Sequence, residues 1–490
     1  MRLTRPQLIL LAVVVAGAAV RFATLDVQSF WIDEGYTVRL LRMDLGGLIH
    51  GIPRTEETPP LYYALAWLWT RAFGTGEVGV RSLSALLGTA AIPVAYVLGR
   101  RLVSERAGLI AAALAAFNPL LVWYSQEARA YALLVLLAGL SMLFFLRARK
   151  GDERAFVRWA VVSALALATH YFAIFVVVPE AGWLLYRQRA RAGRRTAWAV
   201  AGVGAVGAAL LPLAIEQSGN RGARFIGDTD LGPRLVQIPK QFLVGYDSPS
   251  EVAFTVGAGT IAAIALVFLW TRTDPAERRG AGIAAALFAA VAGIPLVVAL
   301  AGADYLIARS VIAAWLPFAV VVAAGLAARR TRIAGPVLAT ALCAIFLAAV
   351  VEVEANPEFQ RDDWRGAARA LGPPRVTRAL VVRPLNGLVP LSLYTPNLQR
   401  FPESGIAHVA EVDLLAVAVR RAGQTPRPPR PPTPRVPGFR LVLRLDRPTF
   451  TLIRLRAPAP VAFSLRRLTN LRLDPGPVDV LVQPPARQAP

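Results

Sequence analysis

The chain has 490 residues, of which 55% are hydrophobic and 17% are charged, and its formal net charge is +23. Soluble globular proteins carry about 25% charged residues, and the mean hydropathy here is +0.49. This composition excludes an ordinary soluble protein and indicates a polytopic membrane protein. The basic residues lie in short links between apolar segments, so they indicate membrane topology and give no support to nucleic-acid binding. The single cysteine, Cys343, excludes an intramolecular disulfide bond and a cysteine metal cluster.

Nine apolar segments have the length and composition of membrane-spanning helices. They are residues 8–22, 82–98, 107–124, 130–146, 196–213, 252–270, 281–301, 307–328 and 333–351. A further stretch, residues 156–186, is long for one helix and short for two. Arginines cluster on both sides of it, so both of its ends are predicted to face the cytoplasm and the stretch to form a hairpin. The prediction is an α-helical protein with about 11 transmembrane helices, an N-terminus in the cytoplasm and a C-terminus outside.

Each leg of this hairpin has roughly 16 residues and reaches about 24 Å, which is less than the ~30 Å hydrocarbon core. Its tip is therefore predicted to lie at membrane depth. Irregular backbone at that depth is tolerated only against protein or a water-filled cavity. We expect His170 and Tyr171, at the tip, to line such a cavity.

Acidic residues gather in the loop of residues 24–81, after the first span. Two of them, Asp33 and Glu34, are adjacent in the stretch Trp31-Ile32-Asp33-Glu34. A carboxylate beside a bilayer is costly unless it faces water, a cation or a substrate, so the pair is a candidate functional site. The alternative is that the two acids simply begin a surface helix, where they favour the positive end of the helix dipole. The pattern alone supports both interpretations equally.

The composition divides the chain into two domains. Residues 1–352 form the predicted transmembrane domain, which includes the loop 24–81, and residues 353–490 form a small extracytoplasmic α/β domain. Within the second domain, residues 362–371 are predicted to be a helix, and residues 379–382, 439–445 and 449–455 to be strands, the last two forming a hairpin. Residues 424–437 are rich in proline and arginine and typical of a linker. The tail, residues 475–490, is expected to be disordered.

Four stretches of the chain together resemble the GT-C superfamily of membrane glycosyltransferases. They are Trp31-Ile32-Asp33-Glu34, Glu57-Thr58-Pro59-Pro60-Leu61-Tyr62-Tyr63, Ser125-Gln126-Glu127-Ala128-Arg129-Ala130-Tyr131 and Thr169-His170-Tyr171. The similarity is to the family 39-like group, which includes protein O-mannosyltransferases and the aminoarabinose transferase of lipid A. It covers residues 1–190 well. Beyond them it rests on Asp304-Tyr305 to Arg309 and on Asp363-Trp364-Arg365-Gly366-Ala367-Ala368.

The resemblance implies a plasma-membrane enzyme that moves a sugar, with inversion, from a polyprenyl-phosphate carrier to an acceptor on the extracytoplasmic face. It implies that Asp33 is the general base, with Glu34 beside it. The leaving group is then a lipid phosphate, whose charge needs a cation or an arginine clamp. Arg129 and Arg309 are candidates for this clamp, and the alternative for each is an interface residue that snorkels to the headgroups. Donor-site roles for Glu127 and Tyr131 also follow from the resemblance.

The resemblance also implies a candidate metal site. Glu57 matches an acid that, in the aminoarabinose transferase, holds a metal together with a histidine, and His170 is the candidate partner here. Two ligands far apart in sequence are a weak signal for a divalent metal cofactor. We therefore favour the interpretation that both side chains are satisfied interface residues.

Several questions remain open at the level of the sequence. The sugar is mannose, an arabinose or another sugar, and the acceptor is a protein hydroxyl, a glycolipid or an envelope polysaccharide. A lipid or sugar flippase or transporter is the main alternative, although such proteins tend to show internal repeats that we do not find here. A non-catalytic protein that binds lipid-linked sugar is a third possibility. The domain 353–490 is expected to position the acceptor.

Overall fold

The computed structural model describes residues 4–187, 193–219, 226, 230–419 and 427–485. They form two compact units. The first, the helical unit, consists of Met1–Leu25 and Leu40–Glu352, and the second, the C-terminal unit, of Asp26–Arg39 and Val353–Pro490. The boundary at Glu352 agrees with the change in composition. The grouping of Asp26–Arg39 with the C-terminal unit differs from our expectation, which assigned the whole loop 24–81 to the transmembrane domain.

The chain as far as residue 355 is almost entirely helical. The helices are α1 Arg5–Phe22, α2 Ile32–Leu41, α3 Leu45–Thr55, α4 Leu61–Phe73, α5 Glu77–Leu102, α6 Glu105–Phe117, α7 Pro119–Ser125, α8 Tyr131–Ala148, α9 Glu153–Thr169, α10 Ile174–Arg187, α11 Gly193–Ser218, α12 Leu231–Val244, α13 Glu251–Thr271, α14 Pro275–Leu300, α15 Trp315–Ala327 and α16 Ala334–Ala355. A 3₁₀ turn, Ala308–Ala314, leads directly into α15.

Eight of the described helices are long and apolar enough to cross a membrane, and the bent pair α6 and α7 makes a ninth. These nine coincide with the nine predicted spans. The pair bends by 57° at Asn118, where the next residue is Pro119. Proline disfavours helical backbone at the residue before it and suits the first turn of a new helix. The Asn118 side chain caps this new helix by accepting a hydrogen bond from the Leu121 amide at 3.2 Å.

The stretch 156–186 contains two helices, α9 and α10, joined by a short 3₁₀ turn at Tyr171–Ala173. They have 17 and 14 residues, or about 26 Å and 21 Å. The buried Glu180 on α10 accepts hydrogen bonds from Trp159 Nε1 on α9 at 2.7 Å and from Ser141 Oγ on α8 at 2.5 Å. Trp159 and Glu180 lie at nearly equal distances along the chain from His170. The contact is therefore that of an antiparallel hairpin.

The C-terminal unit is built on one mixed sheet. Its strands are β1 Arg378–Arg383, β2 Gln399–Arg400, β3 Ile406–Val417, β4 Arg440–Asp446, β5 Phe450–Ser464 and β6 Asp479–Gln483, and its helices are α17 Trp364–Leu371, α18 Leu388–Tyr394 and α19 Leu465–Thr469. The strand order is β2-β6-β1-β3-β5-β4. β1 and β3 are parallel, and the other pairs are antiparallel.

Apolar clusters cover both faces of this sheet at its central strands. Along β1, Ala379 and Val381 pack in one apolar cluster, whereas Leu380 and Val382 pack in another together with Trp364 of α17. Because side chains alternate along a strand, a strand between two cores is apolar at every position. This explains why β1 has a continuous run of buried residues.

The predicted strands and helix agree with β1, β4, β5 and α17, and Arg447 N donates to Phe450 O at 2.9 Å in the predicted hairpin turn. The prediction that the chain is disordered from residue 475 onward is wrong for residues 479–483, because they form β6 and pair with β1. Residues 486–490 lie outside the described part of the chain. The same is true of residues 424–426 of the expected linker, and residues 427–435 have no regular secondary structure.

A buried ion network fixes the end of α17 to the sheet. Arg378 is fully buried and donates to the carbonyls of Leu371 at 2.8 Å and Gly372 at 2.8 Å, and to Asp413 Oδ2 at 3.2 Å. Arg454 donates to both oxygens of Asp413 at 2.8 Å. Asp413 thus compensates two guanidinium groups, and both of them donate to Leu371 O at the helix end, where carbonyls lack partners within the helix.

Replacing Asp413 by alanine is expected to lower the free energy of unfolding of the C-terminal unit by about 3 kcal/mol, because Arg378 and Arg454 lose one carboxylate and keep only Glu411, at 3.9 Å and 3.1 Å. Asp446→Ala is the matched control, since its ion pair with Arg444 lies at the sheet edge and is partly exposed, where such pairs contribute about 0–1 kcal/mol. Native-state hydrogen exchange of β1 and β3 in the full-length protein measures both variants. Equal effects of the two substitutions on the exchange rates would contradict the role of Asp413 in the buried ion network.

Candidate functional site

The loop from Gln126 to Ala130 connects α7 to α8. Within it, Arg129 N donates to Glu127 O at 2.8 Å, which closes a tight turn. Gln126 Nε2 donates to Thr24 Oγ1 at 2.7 Å and to Arg21 O at 3.2 Å. The loop is therefore attached to the end of the first helix, and it places Glu127, Arg129 and Tyr131 next to one another.

Arg21 is a buried cation near the end of α1, with only 1% of its surface exposed. Its guanidinium donates to Ala115 O at 2.9 Å and Ala116 O at 2.6 Å, at the end of α6. It also donates to Ser125 Oγ at 3.1 Å. A cation is stabilised at the negative end of a helix dipole. Arg21 thus fixes the break between α6 and α7 and, through Ser125, the start of the loop.

Arg129 forms a buried ion pair with Glu56 through its Nη1. Tyr63 Oη donates to the same carboxylate oxygen at 2.6 Å, and the hydroxyl groups of Tyr63 and Thr58 are 2.8 Å apart. The carboxylate in contact with Arg129 is thus Glu56, a residue to which the sequence analysis gave no role. Its neighbour Glu57, the candidate metal ligand, is only partly buried.

Aromatic rings surround this ion pair. The ring centroids of Tyr131 and His170 are 5.4 Å apart, and those of Tyr131 and Tyr124 are 4.7 Å apart. Arg129 and Arg309 both lie close enough to His170 to interact with it electrostatically. Glu127 and Arg309 interact in the same way with Tyr124.

The structure therefore brings together five of the residues singled out in the sequence, which are Glu127, Arg129, Tyr131, His170 and Arg309. With Glu56 and Tyr63 they form what we call the arginine cluster of the helical unit.

The tip of the α9–α10 hairpin belongs to the same region. Tyr171 Oη donates to Gln217 Oε1 at 2.7 Å. Gln217 Nε2 in turn donates to Thr58 O at 3.2 Å and to Ile52 O at 3.3 Å. Gln217 on α11 therefore ties the hairpin tip to the chain segment that carries Glu56 and Glu57.

Arg309 lies in the 3₁₀ turn Ala308–Ala314, and an ion pair holds the segment before it. Arg234 Nη1 donates to Asp304 Oδ1 at 2.9 Å and to Leu306 O at 2.9 Å. The hydrogen bonds from Arg234 lower the pKa of Asp304, so this carboxylate stays ionised at neutral pH. The pair restrains the backbone that leads to Arg309.

The residues do not fit a metal centre in this conformation. Among the described residues, no group of three or more His, Cys, Asp or Glu side chains is arranged to hold a metal ion. His170 Nδ1 accepts a hydrogen bond from Phe172 N at 3.2 Å. The remaining proton of a neutral imidazole is then on Nε2, which makes that nitrogen a donor and not a metal ligand.

Asp33 and Glu34 belong to the C-terminal unit, where they lie in the first turn of α2. Glu34 is buried and Asp33 is partly exposed. Ile32 packs in the apolar cluster around Trp364 and Leu391. The acids therefore begin a helix, but Glu34 is buried, whereas the simpler interpretation placed both acids on a surface helix. Their helix is anchored in the core of that unit.

Residues 57–215 match a family model described as dolichyl-phosphate-mannose-protein mannosyltransferase. The crystal structure of ArnT from Cupriavidus metallidurans bound to undecaprenyl phosphate is similar, with 14% identity, a TM-score of 0.53, and coverage of 91% of this chain and 97% of that one. The same protein in the apo state gives 13% identity and a TM-score of 0.54 at the same coverage. No curated protein sequence matches the chain. The ArnT structures share the fold with this chain.

Arg21→Met is expected to lower the free energy of unfolding of the protein by about 1–3 kcal/mol, because buried acceptors at the α6–α7 break lose a charged donor. Arg5→Met is the control, since Arg5 is exposed at the other end of the same helix. Thermal unfolding of the full-length protein in lipid nanodiscs measures the difference. Identical melting temperatures for the two variants would show that Arg21 does not hold the break.

Proposed function

We propose that this chain, which belongs by fold to the GT-C superfamily of membrane glycosyltransferases, transfers a sugar from a polyprenyl-phosphate carrier to an acceptor on the extracytoplasmic face of the plasma membrane. The observation that carries the proposal is the arginine cluster, in which Arg129 and Arg309 lie near buried tyrosines. Two guanidinium groups in a largely buried setting suit a lipid phosphate. The proposed carrier is of the kind that ArnT binds in its crystal structure.

The two arginines are proposed to stabilise the phosphate as it leaves. Breaking the bond between the anomeric carbon and the phosphate oxygen leaves the bonding electrons, and so negative charge, on the phosphate. Donors that are already oriented stabilise such charge without reorganisation. The contact with Glu56 and Tyr63 supplies this orientation for Arg129. Glu127 and Tyr131, on the same loop, are proposed to contact the donor.

Asp33 is proposed to be the general base, and Glu34 to support it. The acceptor hydroxyl loses its proton to Asp33 as its oxygen forms the new bond to the anomeric carbon, with inversion. Trp31 adds a donor, because its indole N–H is buried and has no hydrogen-bond partner among the described residues. A substrate oxygen would satisfy this donor. No step of this mechanism uses a metal ion, because His170 Nε2 carries a proton and is not a ligand.

The topology proposed for the membrane follows the basic links, with the N-terminus in the cytoplasm and the C-terminal unit outside. No nucleotide sugar is available on that side, which is why the donor is lipid-linked. The sugar, whether hexose or pentose, and the acceptor, whether protein, glycolipid or polysaccharide, are left to experiment.

Asp33→Asn is expected to reduce release of polyprenyl phosphate by about 10²- to 10⁴-fold, because the amide cannot accept the hydroxyl proton. The assay uses the full-length protein in lipid nanodiscs with a panel of polyprenyl-phosphate sugars and membrane extract as the source of acceptor. Asp26→Asn is the control, since Asp26 is an exposed acid in the same loop. The donor that responds identifies the sugar.

Two outcomes of this assay would count against the proposal. Unchanged release by Asp33→Asn would remove Asp33 from the mechanism. If the wild-type protein released no carrier from any donor, a flippase, a transporter or a non-catalytic sugar-lipid binder would be the better explanation.

Arg129→Lys is expected to lower kcat/KM for the donor by about 10²- to 10³-fold, since an ammonium group cannot reproduce the planar donor fork. Lys150→Gln removes an exposed cation beyond the other end of α8 and is the control. The same release assay, run over a range of donor concentrations, gives kcat/KM for both variants. A snorkelling interface arginine would tolerate lysine, so unchanged kinetics would contradict the phosphate-binding role.

A further inference from the structure

The segment that carries the acidic pair is held by a part of the chain more than 300 residues away. Residues 26–30 precede α2 and form neither helix nor strand. Their position is set instead by hydrogen bonds to the stretch from Glu354 to Arg365, all of them within the C-terminal unit. These hydrogen bonds form two groups, and a third group of contacts joins Phe30 and α2 to Tyr394 and to the core of the same unit.

The first group surrounds Gln28 and Ser29, both of which are buried. Gln28 Oε1 accepts from the backbone N and from Nη1 of Arg361, each at 3.1 Å, and Gln28 Nε2 donates to Glu354 Oε1 at 2.9 Å. Ser29 Oγ donates to Asp362 O at 2.6 Å and accepts from Trp364 N at 3.0 Å. The serine hydroxyl thus serves as donor and acceptor at the start of α17.

The second group involves Arg365, on the first turn of α17. Its Nη2 donates to Asp26 O at 2.7 Å and to Val27 O at 2.6 Å. One guanidinium nitrogen therefore holds two successive carbonyls of the segment. The conservative replacement, lysine, has a single nitrogen on a flexible stem and lacks the rigid planar group.

The third group fixes α2 itself. Phe30 N donates to Tyr394 Oη at 2.8 Å. Ile32 packs in the apolar cluster of Trp364 and Leu391, and a side-chain carbon at Gly35 would lie 3.0 Å from Val389 Cγ1. Ile32 and Gly35 are three residues apart and share one helix face. At about 100° per residue, the two acids between them project from the other side of the helix.

We propose that Ser29 and Arg365 are positioning residues for Asp33. They act through the backbone of residues 26–31, which they hold against α17, so that α2 presents its acids in one fixed orientation. The inference rests on the proposed function of Asp33 as general base. It adds a second role to the expectation that the C-terminal domain positions the acceptor, which stays a prediction.

The consequence for catalysis follows from geometry. A displacement of about 1 Å in a catalytic group, caused by a change far from the reacting atoms, can lower the rate by about 10²-fold. Loosening the segment should therefore lower kcat. Binding of either substrate should be unaffected, because neither Ser29 nor Arg365 is proposed to contact one.

The test compares Ser29→Ala, Ser29→Thr and Arg365→Gln in the full-length protein in nanodiscs. Ser29→Ala and Arg365→Gln are expected to lower kcat by about 10- to 100-fold, with KM for donor and acceptor unchanged and with faster hydrogen exchange of residues 30–36. Ser29→Thr keeps the hydroxyl and should restore most of kcat. Arg369→Gln, an exposed arginine on the same helix, should behave as wild type.

The possible failures are distinguishable. Faster exchange in Ser29→Ala with a wild-type kcat would overturn the positioning role and leave the proposed function intact. A raised acceptor KM with unchanged kcat would also overturn it, in favour of acceptor binding by the C-terminal unit. Absence of carrier release by the wild-type protein with every donor would overturn the proposed function and, with it, this inference.

Discussion

The helical unit depends on one constraint: polar groups at membrane depth must be satisfied by the protein, because hydrocarbon offers no hydrogen bonds. Arg21 illustrates it, since the guanidinium is buried among carbonyls that α6 leaves without partners where it breaks. Glu180 is a second case through its Oε2, which accepts from α8 and α9, whereas its Oε1 has no hydrogen-bond partner among the described residues. Each of these buried groups finds its hydrogen-bond partners only in one particular arrangement of the surrounding helices. The break at Asn118 and the α9–α10 hairpin are therefore specific features of the fold, and the arginine cluster lies beside both of them.

Much of the fold was predictable because its signals are local. Hydropathy over a window determines whether a segment can span a membrane, so the nine spans appear both in the sequence and in the structure. β3 was missed although it is the second-longest strand. It carries Glu411 and Asp413, which interrupt the apolar pattern, and both are buried because Arg454 and Arg456 of β5 compensate them. That compensation comes from a neighbouring strand some forty residues further along the chain, so no local pattern indicates it.

The site was predictable in part for the same reason. Five residues of the arginine cluster were identified from their motifs, but Glu56 was not. Glu56 ends α3 in an extended conformation, with φ −116° and ψ 160°. Successive side chains of extended backbone point in opposite directions, so two adjacent acids cannot both face Arg129. The sequence contains both carboxylates, and only the backbone conformation at the helix end decides which of them forms the ion pair.

The association of residues 26–39 with the C-terminal unit is the clearest example of information that the sequence does not carry. A single helical turn there carries both the packing residues and the proposed catalytic acids, since Ile32 and Gly35 face the core of that unit and Asp33 and Glu34 project from the other side. Ile32, the apolar residue beside the acids, therefore serves to pack the helix against the core of that unit. A change at Ile32 would loosen the helix, whereas a change at Asp33 would leave its packing intact. It follows that the Trp31-Ile32-Asp33-Glu34 stretch and the Asp363-Trp364-Arg365-Gly366 stretch, far apart in the chain, form one structural element in this protein.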